Sequence, residues 1–314
     1  MKKIASEVLC AVLLAAACAV ARSAPAAEPL VELRPGQGDT MEILIGDQPF
    51  ATYNFGKDLP KPFLLPIRTA SGVVINRALR EPSDDDHPHH KGLWFSVDEV
   101  NGQDFWAEKA PIVCVSVKAA VSGADPAVME VINEWRHPES RQVILTETTQ
   151  ISIHASRLVS YDAVLKAAAT DVVFDDTKEG LFGFRMAPTM KEKHGGHVIS
   201  SDGSTGTQDC WGRTFAWIDY FGTVDQRTVG VTLMDHPGNF RPSRYHVRDY
   251  GLFSLSPFGE HSYTNGTVAA QPVTVKAGES LRLHYGAYFH DGDTVFADVA
   301  AIYGQFLKTS GAAP

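Results

Sequence analysis

Three acidic residues run directly into three histidines in the segment SDDDHPHHKGLW, residues 83–94. Pro88 argues against a helix here, because proline lacks a backbone N–H and pushes the preceding residue toward an extended conformation. In an extended chain His87 and His89 project to one side and His90 to the other. Imidazole binds metals and titrates near physiological pH. The segment therefore predicts a metal site or a proton-transfer site, with a surface loop bonded to its own aspartates as the alternative.

A carboxylate in a second polar segment could supply general acid or base chemistry. In DDTKEGLFGFRM, residues 175–186, Glu179 stands at the predicted entry of a strand, and Arg185 follows it. Arg185 could lower the pKa of Glu179 or bind substrate oxygens. An ion pair within the protein is the ordinary alternative.

A third polar segment, MDHPGNFRPSRYHVRDYG, places acids and histidines on both sides of a Pro/Gly loop. His246 and Arg248 share a side of an extended chain, and Asp249 opposes them. We therefore expect His236, His246 and Asp249 among the catalytic groups.

The remaining candidates are residues that could contact a substrate. Trp94 and Trp106 flank the histidines and could offer faces to sugar rings, although core packing explains tryptophans in such strands equally well. Arg185, Arg248 and Asp235 are the predicted polar substrate contacts.

A divalent metal is the one cofactor that the sequence indicates. His87, His89 and His246 form the predicted ligand set, which would suit Zn, Mn, Fe or Cu rather than Ca. Because neither HExxH nor CxxC occurs, this prediction depends on the convergence of distant loops.

The elements that must position these residues are β-strands. Hydrophobic residues recur with a period of two in segments such as 41–46, 128–135, 214–222 and 279–290, separated by turn residues. The pattern predicts an all-β fold, a large antiparallel two-sheet β-sandwich. One helix is predicted near the C-terminus, capped by Asp293 or Thr294, with Phe296, Val299, Ala300, Tyr303 and Phe306 at helical spacing. We expect it to cover one end or edge of a sheet.

The N-terminus predicts export from the cytoplasm. Residues 1–26 have basic residues, a short apolar core and small residues at a cleavage site, as secretory signal peptides do. Residues 27–314 are then expected to form a single domain in the periplasm or outside the cell. Cys18 is a loose match to a lipoprotein anchor.

Charge and cysteine content limit the partners. The net charge is −9 and no basic stripe occurs, so nucleic acid is not an expected partner. Beyond the N-terminal segment no apolar run is long enough to span a membrane. Cys114 and Cys210 could pair in an oxidising compartment, although their spacing does not require it, and a small buried hydrophobe is the simpler interpretation of Cys114.

Several motifs together resemble one bacterial family. They are KPFLLPIRTASG, DHPHHKGLW with VNGQDFW, DTKEGLFGFR, a tryptophan-rich segment ending in DYFG, and MDHPGNFRPSRYHVRDYG with SPFG. This set resembles the family named methane oxygenase PmoA, in practice a domain of unknown function. The resemblance implies a secreted sandwich similar to the galactose-mutarotase-like supersandwich, in bacteria that degrade glycans. True particulate methane monooxygenase is a membrane-embedded copper complex, which this chain does not resemble.

The main functional prediction is a secreted carbohydrate-active enzyme that cleaves or modifies a glycoside by hydrolysis or elimination. Glu179 would be one acid/base residue, Asp235 or Asp249 its partner carboxylate, and His89, His236 or His246 a further proton-transfer group. One alternative is an aldose epimerase, in which a histidine protonates the ring oxygen and a glutamate removes the anomeric hydroxyl proton. A non-catalytic sugar-binding protein and a metal-dependent oxygenase are the others. The expected partner is a carbohydrate or another small molecule.

Overall fold

The computed structural model describes residues 29–82 and 86–309. The predicted signal segment, with Cys18, lies outside the described residues, and so do Asp84 and Asp85 of the histidine segment. Within the described part of the chain, no helix is long and apolar enough to cross a membrane.

Alternating hydrophobic segments form strands, as the sequence predicts, and most predicted segments agree with a strand to within a few residues. The strands are β1 (Val31–Pro35), β2 (Thr40–Ile45), β3 (Gln48–Asn54), β4 (Phe63–Ile67), β5 (Leu93–Phe95), β6 (Ile112–Val121), β7 (Ala127–Arg136), β8 (Val143–Ile153), β9 (Leu158–Ala167), β10 (Val172–Phe174), β11 (Phe182–Arg185), β12 (His197–Ser200), β13 (Trp217–Val224), β14 (Arg227–Asp235), β15 (Arg244–Val247), β16 (Leu252–Ser256), β17 (Val273–Val275) and β18 (Ser280–Asp291). Short helices α1 (Gly206–Cys210) and α2 (Glu260–Tyr263) lie in connections, and α3 (Val299–Phe306) follows β18.

Two eight-stranded antiparallel sheets carry the fold. The first has the order β1-β2-β3-β4-β5-β11-β16-β15, and the second has the order β12-β13-β14-β18-β9-β8-β7-β6. Their inner faces share one continuous hydrophobic core, to which β7 contributes Met129, Val131 and Trp135. The predicted all-β two-sheet sandwich is confirmed.

The C-terminal helix is present, but it starts later and packs elsewhere than predicted. Asp293 caps a turn instead of the helix, because its Oδ1 accepts the backbone N–H groups of Val295 and Phe296. Phe296 is therefore outside α3, and its side chain is 78% exposed. Phe306 packs with Met234 on the outer face of the central strands of the second sheet, so the helix covers a face and not an edge.

The two cysteines of the described residues are free. Cys210 is buried in α1, whereas Cys114 is only half-buried. The expected buried position of Cys114 is met only in part: it packs against the core, but β6 is the outermost strand of the second sheet and its side chains are covered on fewer sides.

The outer face of the first sheet carries a row of aligned residues. In the strand register Gly183 of β11 lies between Trp94 of β5 and Ser254 of β16, and Ser254 pairs with His246 of β15. Side chains of alternate residues share a face, so Arg185 stands on the same face one step along β11. Four strands from distant parts of the chain thus build one surface.

The glycine in this row gives a direct test of the surface. A Cβ atom at position 183 would lie 2.7 Å from Cζ2 of Trp94, so Gly183→Ala should displace the indole and lower the stability by about 1–3 kcal/mol. Denaturant unfolding followed by tryptophan fluorescence measures both effects. Gly304→Ala in α3 is the control, since its new methyl group would meet no atom within 4 Å apart from its chain neighbours and the backbone of its own helix. Equal stabilities of the two variants would contradict the close packing.

Candidate functional site

A cleft of about 370 Å³ lies over the outer face of the first sheet. Its lining residues come from the loops before and after β5, from the loop before β11, and from β15 and the loop that follows it. They are His87, His89, His90, Asp98, Asp104, Trp106, Ala107, Lys178, Glu179, His246, Arg248 and Tyr250. Six predicted site residues are therefore brought together here, although they are far apart along the chain. They are His87, His89, Trp106, Glu179, His246 and Arg248.

Two buried arginines hold the histidine segment in place. Arg77 donates to the backbone oxygens of Asp86 at 2.6 Å and His87 at 2.8 Å. Arg185 donates to Oδ1 of Asp86 at 2.5 Å and to Nδ1 of His90 at 3.2 Å. The Arg185 side chain is fully buried and positions this loop from beneath the cleft. The predicted direct contact between Arg185 and a substrate is therefore wrong, because no part of the side chain is exposed.

The histidine segment is a turn and not the extended chain that we predicted. His87 has a φ of 46°, and its backbone oxygen accepts the N–H of His90 at 3.0 Å. Consequently His90 does not point away from its neighbours, and all three imidazoles face the same cleft. The prediction that only His87 and His89 share a side is wrong because the left-handed conformation at His87 reverses the chain.

Four aromatic rings stack through the floor of the cleft. His90 lies over the buried Trp94, with ring centres 5.4 Å apart and 14° between the planes. His87 follows at 4.8 Å and 3°, and Tyr250 follows His87 at 5.4 Å and 4°. Trp94 is only 1% exposed, so it supports the imidazoles from below and offers no face to a ligand.

Glu179 is positioned by contacts to the backbone on both sides of it. Its N–H donates to Oγ1 of Thr177 at 3.1 Å, and its backbone oxygen accepts the N–H of Asp98 at 2.9 Å. The preceding carbonyl of Lys178 accepts the hydroxyl of Tyr263 at 2.7 Å. Burial raises the pKa of the Glu179 carboxyl, against the lowering effects of Lys178 and Arg248 nearby.

His246 has a fixed tautomer. Its Nδ1 lies 3.0 Å from the backbone oxygen of Lys178, which only accepts, and its Nε2 lies 2.9 Å from Nε of Arg248, which only donates. Burial, and then the charge of Arg248, lower the pKa of His246 to about 3, in keeping with a neutral ring. Both ring nitrogens are engaged, so His246 orients Arg248 and the backbone before Glu179 and has no free nitrogen for a metal or a substrate proton.

His89 differs because no hydrogen bond to its ring is formed by the described residues. It is partly buried, with its ring centre 6.5 Å from that of Trp106. Burial, and then the charge of Lys61, lower the pKa of His89 to about 4. The imidazole is therefore neutral at neutral pH and can accept a proton from a bound molecule.

Lys61 is a buried cation beneath the same wall of the cleft. Its side chain is fully buried, with Nζ 2.9 Å from the backbone oxygen of Trp106 and 3.3 Å from Oε1 of Glu108. The ammonium group lies over the ring of Trp94, 5.3 Å from its centre. Burial lowers the pKa of Lys61 to about 7, partly offset by Glu108.

The cleft contains residues that the sequence reasoning missed. Burial, and then the neighbouring carboxylate of Asp104, raise the pKa of Asp98 to about 6, and the two carboxyl groups are hydrogen-bonded. Lys178 and Tyr250 also line the cleft. The alternation of the DEVNGQDFW segment offered no signal for the aspartates, because their proximity depends on the turn at Asn101 and Gly102.

Besides Trp94 and Arg185, which lie beneath the cleft, three predicted site residues lie away from it. Asp235 and His236 line a second cleft of about 280 Å³, beside Phe215 and Tyr303. The carboxylate of Asp235 is bound by Ser243 and Asn239, so it stabilises its own loop. Asp249 is exposed and lies outside both linings. The expected pairing of Glu179 with either aspartate is therefore wrong.

The predicted metal site is not assembled by the described residues. His87 and His89 line the cleft, but His246 uses both nitrogens within the protein. Across residues 29–82 and 86–309, no group of three or more His, Cys, Asp or Glu side chains is placed to hold a metal ion.

Most of the chain matches one protein family. The model of a family of unknown function, DUF6807, matches residues 40–303. The chain belongs to this family. DUF6807 is thus the supported name, and the methane oxygenase name is not supported by any of the comparisons. No similar sequence was found among the curated proteins.

Solved structures with a similar arrangement are described as aldose epimerases. Galactose 1-epimerase from Lactobacillus acidophilus is 8% identical, with a TM-score of 0.41, over 84% of this chain and 98% of that chain. A putative aldose 1-epimerase from Klebsiella pneumoniae is 12% identical, with a TM-score of 0.39, over 88% and 82% of the two chains. An epimerase homologue from C. elegans is 7% identical, with a TM-score of 0.37, over 84% and 99%.

These comparisons correct the main functional prediction. The main prediction, a glycoside hydrolase or lyase, is not supported: these similar structures bear the description of the predicted alternative, an aldose epimerase. The pairings expected for that reaction do not occur, since neither Asp235 nor Asp249 shares the cleft of Glu179.

Proposed function

We propose that this protein binds a sugar in the Glu179 cleft and interconverts its anomers, as an aldose epimerase does. The proposal rests on one observation about this chain. A carboxyl group with a raised pKa, Glu179, shares a cleft with an imidazole whose pKa is lowered to about 4, that of His89. Such a pair can give a proton and accept another within one bound molecule.

Anomer interconversion needs these two proton transfers and no other reactant. One group protonates the ring oxygen while another removes the proton of the anomeric hydroxyl, and the bond between the anomeric carbon and the ring oxygen breaks. The open-chain aldehyde then rotates about its terminal carbon–carbon bond. Return of both protons closes the ring on either face, so atoms and electrons balance over the cycle.

The order of the two pKa values assigns the roles. The pKa of Glu179 lies above its usual 4.5, whereas that of His89 is about 4. When the pair holds a single proton, that proton therefore belongs mainly to Glu179. Glu179 is then the acid at the ring oxygen and His89 is the base at the anomeric hydroxyl, the reverse of the assignment expected from the sequence.

The rate of anomer exchange should therefore depend on pH with a maximum on the acidic side of neutrality. The reactive form requires protonated Glu179 and neutral His89. Its fraction falls as the pH rises through the raised pKa of Glu179, and it falls again below the pKa of His89, about 4. Measuring exchange between the α and β anomers of reducing aldoses by NMR, corrected for the uncatalysed rate, gives the profile.

The variant His89→Gln tests whether His89 causes the decline of the exchange rate at low pH. It should reduce the rate by about a hundredfold or more and abolish the decline at low pH. A rate that rises steadily with pH through the neutral range would contradict the role assignment. Absence of catalysed exchange for every aldose, in a protein that binds sugar, would contradict the proposed function and favour a sugar-binding protein.

A further inference from the structure

Arg248 is an oriented cation whose outer nitrogens have no protein partner among the described residues. Its Nε donates to His246, and its guanidinium carbon lies 5.2 Å from the ring centre of Trp211. These are the contacts that the Arg248 side chain makes within the described residues, and no described acidic residue forms an ion pair with it. The two terminal amino groups of Arg248 therefore have no protein partner among the described residues, although the side chain is half-buried and lines the cleft.

The direction of the guanidinium is set by a buried neighbour. His246 is 2% exposed and is itself held by the backbone oxygen of Lys178. A neutral imidazole that accepts from Nε leaves the outer edge of the guanidinium as the free edge. That edge offers two parallel N–H groups, the geometry that matches a carboxylate.

A second cation, Lys178, lies in the same cleft as Arg248. Lys178 lines the same cleft and, like Arg248, makes no ion pair within the described residues. Both cations act on Glu179, which shows that they stand close to the proton-transfer group. A partly buried cation without a counter-charge is costly, so a ligand that supplies one gains affinity.

The acidic groups that face the two cations limit the charge of the ligand. Asp104 is paired with Lys109 at 3.0 Å, and Asp98 shares a hydrogen bond with Asp104. With the carboxyl groups of Asp98 and Asp104 in the cleft, a dianion such as a phosphate ester meets more repulsion than a single carboxylate.

We propose that Arg248 and Lys178 form a carboxylate subsite, so that the preferred ligand of the cleft is a sugar acid, of which a hexuronate is the simplest. This inference rests on the proposed function for the sugar ring, and it adds the class of substrate. Arg248 is a specificity-determining residue in this arrangement, and His246 is its positioning residue.

Calorimetric titration with matched sugars tests the subsite. Galacturonate, galactose and galactose 6-phosphate present the same ring with a carboxylate, a hydroxymethyl group and a phosphate. We expect galacturonate to bind tighter than galactose by about tenfold to about a hundredfold, the range of a charge-assisted hydrogen-bonded pair. Arg248→Gln should remove this preference, so that the ratio of the dissociation constants of galactose and galacturonate falls to about one.

Two further variants keep the result interpretable. Arg248→Lys retains the charge but loses the parallel N–H pair, so it should keep only part of the preference. Arg213→Gln is the matched control, because Arg213 is exposed and pairs with Asp202 away from the cleft. Equal melting temperatures of the variants establish that they are folded.

The inference is overturned if galacturonate and galactose bind equally, if the phosphate binds best, or if neither sugar binds. It is also overturned if Arg248→Gln keeps the preference. Failure of the proposed function looks different: the wild-type protein would bind galacturonate through Arg248 but would not exchange its anomers. Exchange of neutral aldoses without a preference for the acid would instead leave the proposed function standing alone.

Discussion

Glu179→Gln should lower the catalysed rate of anomer exchange by about a hundredfold or more, the usual contribution of a positioned acid or base. Glutamine keeps the size and the hydrogen-bonding shape of the side chain but carries no titratable proton. The backbone contacts that position residue 179 involve Thr177, Asp98 and Tyr263, and the substitution leaves them in place. The effect should therefore appear in kcat, with KM and the melting temperature little changed.

Glu32→Gln is the matched control for this experiment. Glu32 is half-buried on β1 and pairs with Arg34, far from the cleft in the strand order. We expect this variant to exchange anomers at the wild-type rate. Full activity of Glu179→Gln would contradict the role of Glu179, and equal loss in both variants would point to an indirect effect.

Lys61→Met should change how the stability of the protein depends on pH. The pKa of Lys61 falls from its usual 10.5 to about 7 in the folded protein, chiefly through burial. Between these values the unfolded chain holds more protons than the folded one, so the free energy of unfolding rises with pH. From about pH 6 to about pH 9 this group alone should add about 2–3 kcal/mol, at about 1.4 kcal/mol for each pKa unit.

The comparison of two proteins isolates this contribution. Methionine fills a similar volume without a charge, so the stability of Lys61→Met, relative to the wild type, should decline by that amount as the pH rises over the same range. Urea unfolding at several pH values measures it. Lys118→Met is the control, because Lys118 is exposed and its substitution should leave the pH dependence unchanged. Parallel curves for wild type and Lys61→Met would mean that Lys61 titrates normally.

The removal of Lys61 also has a consequence at the cleft. Its charge is the second cause, after burial, of the low pKa of His89. In Lys61→Met the pKa of His89 should rise, so the decline of the exchange rate at low pH should begin at a higher pH. The buried lysine thus links the packing under Trp94 and Trp106 to the protonation of the proposed base.

The strands were readable from the sequence because sheet periodicity is a local property. A residue pattern such as VMEVINEW alternates regardless of which strand lies beside it, so β7 and its neighbours could be predicted together with the sandwich. The C-terminal helix was located for the same reason. Its first turn was misplaced because Asp293 and Thr294 prefer other contacts, and Thr294 binds Asp219 of the second sheet.

The candidate site could be predicted only in part. Loops rich in polar and aromatic residues marked the right segments, and Glu179, His89, His246 and Arg248 do meet in one cleft. Their individual roles were beyond the sequence. The orientation of His246 depends on a carbonyl 68 positions earlier in the chain, which no local pattern reveals.

By itself the sequence determined the class of fold, the segments that carry polar chemistry and the absence of a basic surface, because these follow from alternation, composition and charge. Tertiary structure decided which of those segments meet. The order β5-β11-β16-β15 brings Trp94, Gly183 and His246 into one row, while Asp235 ends on the other sheet. The physical reason is that strand order and the turn at His87 depend on long-range pairing and burial, and those decide which nitrogen is engaged and which carboxyl keeps its proton.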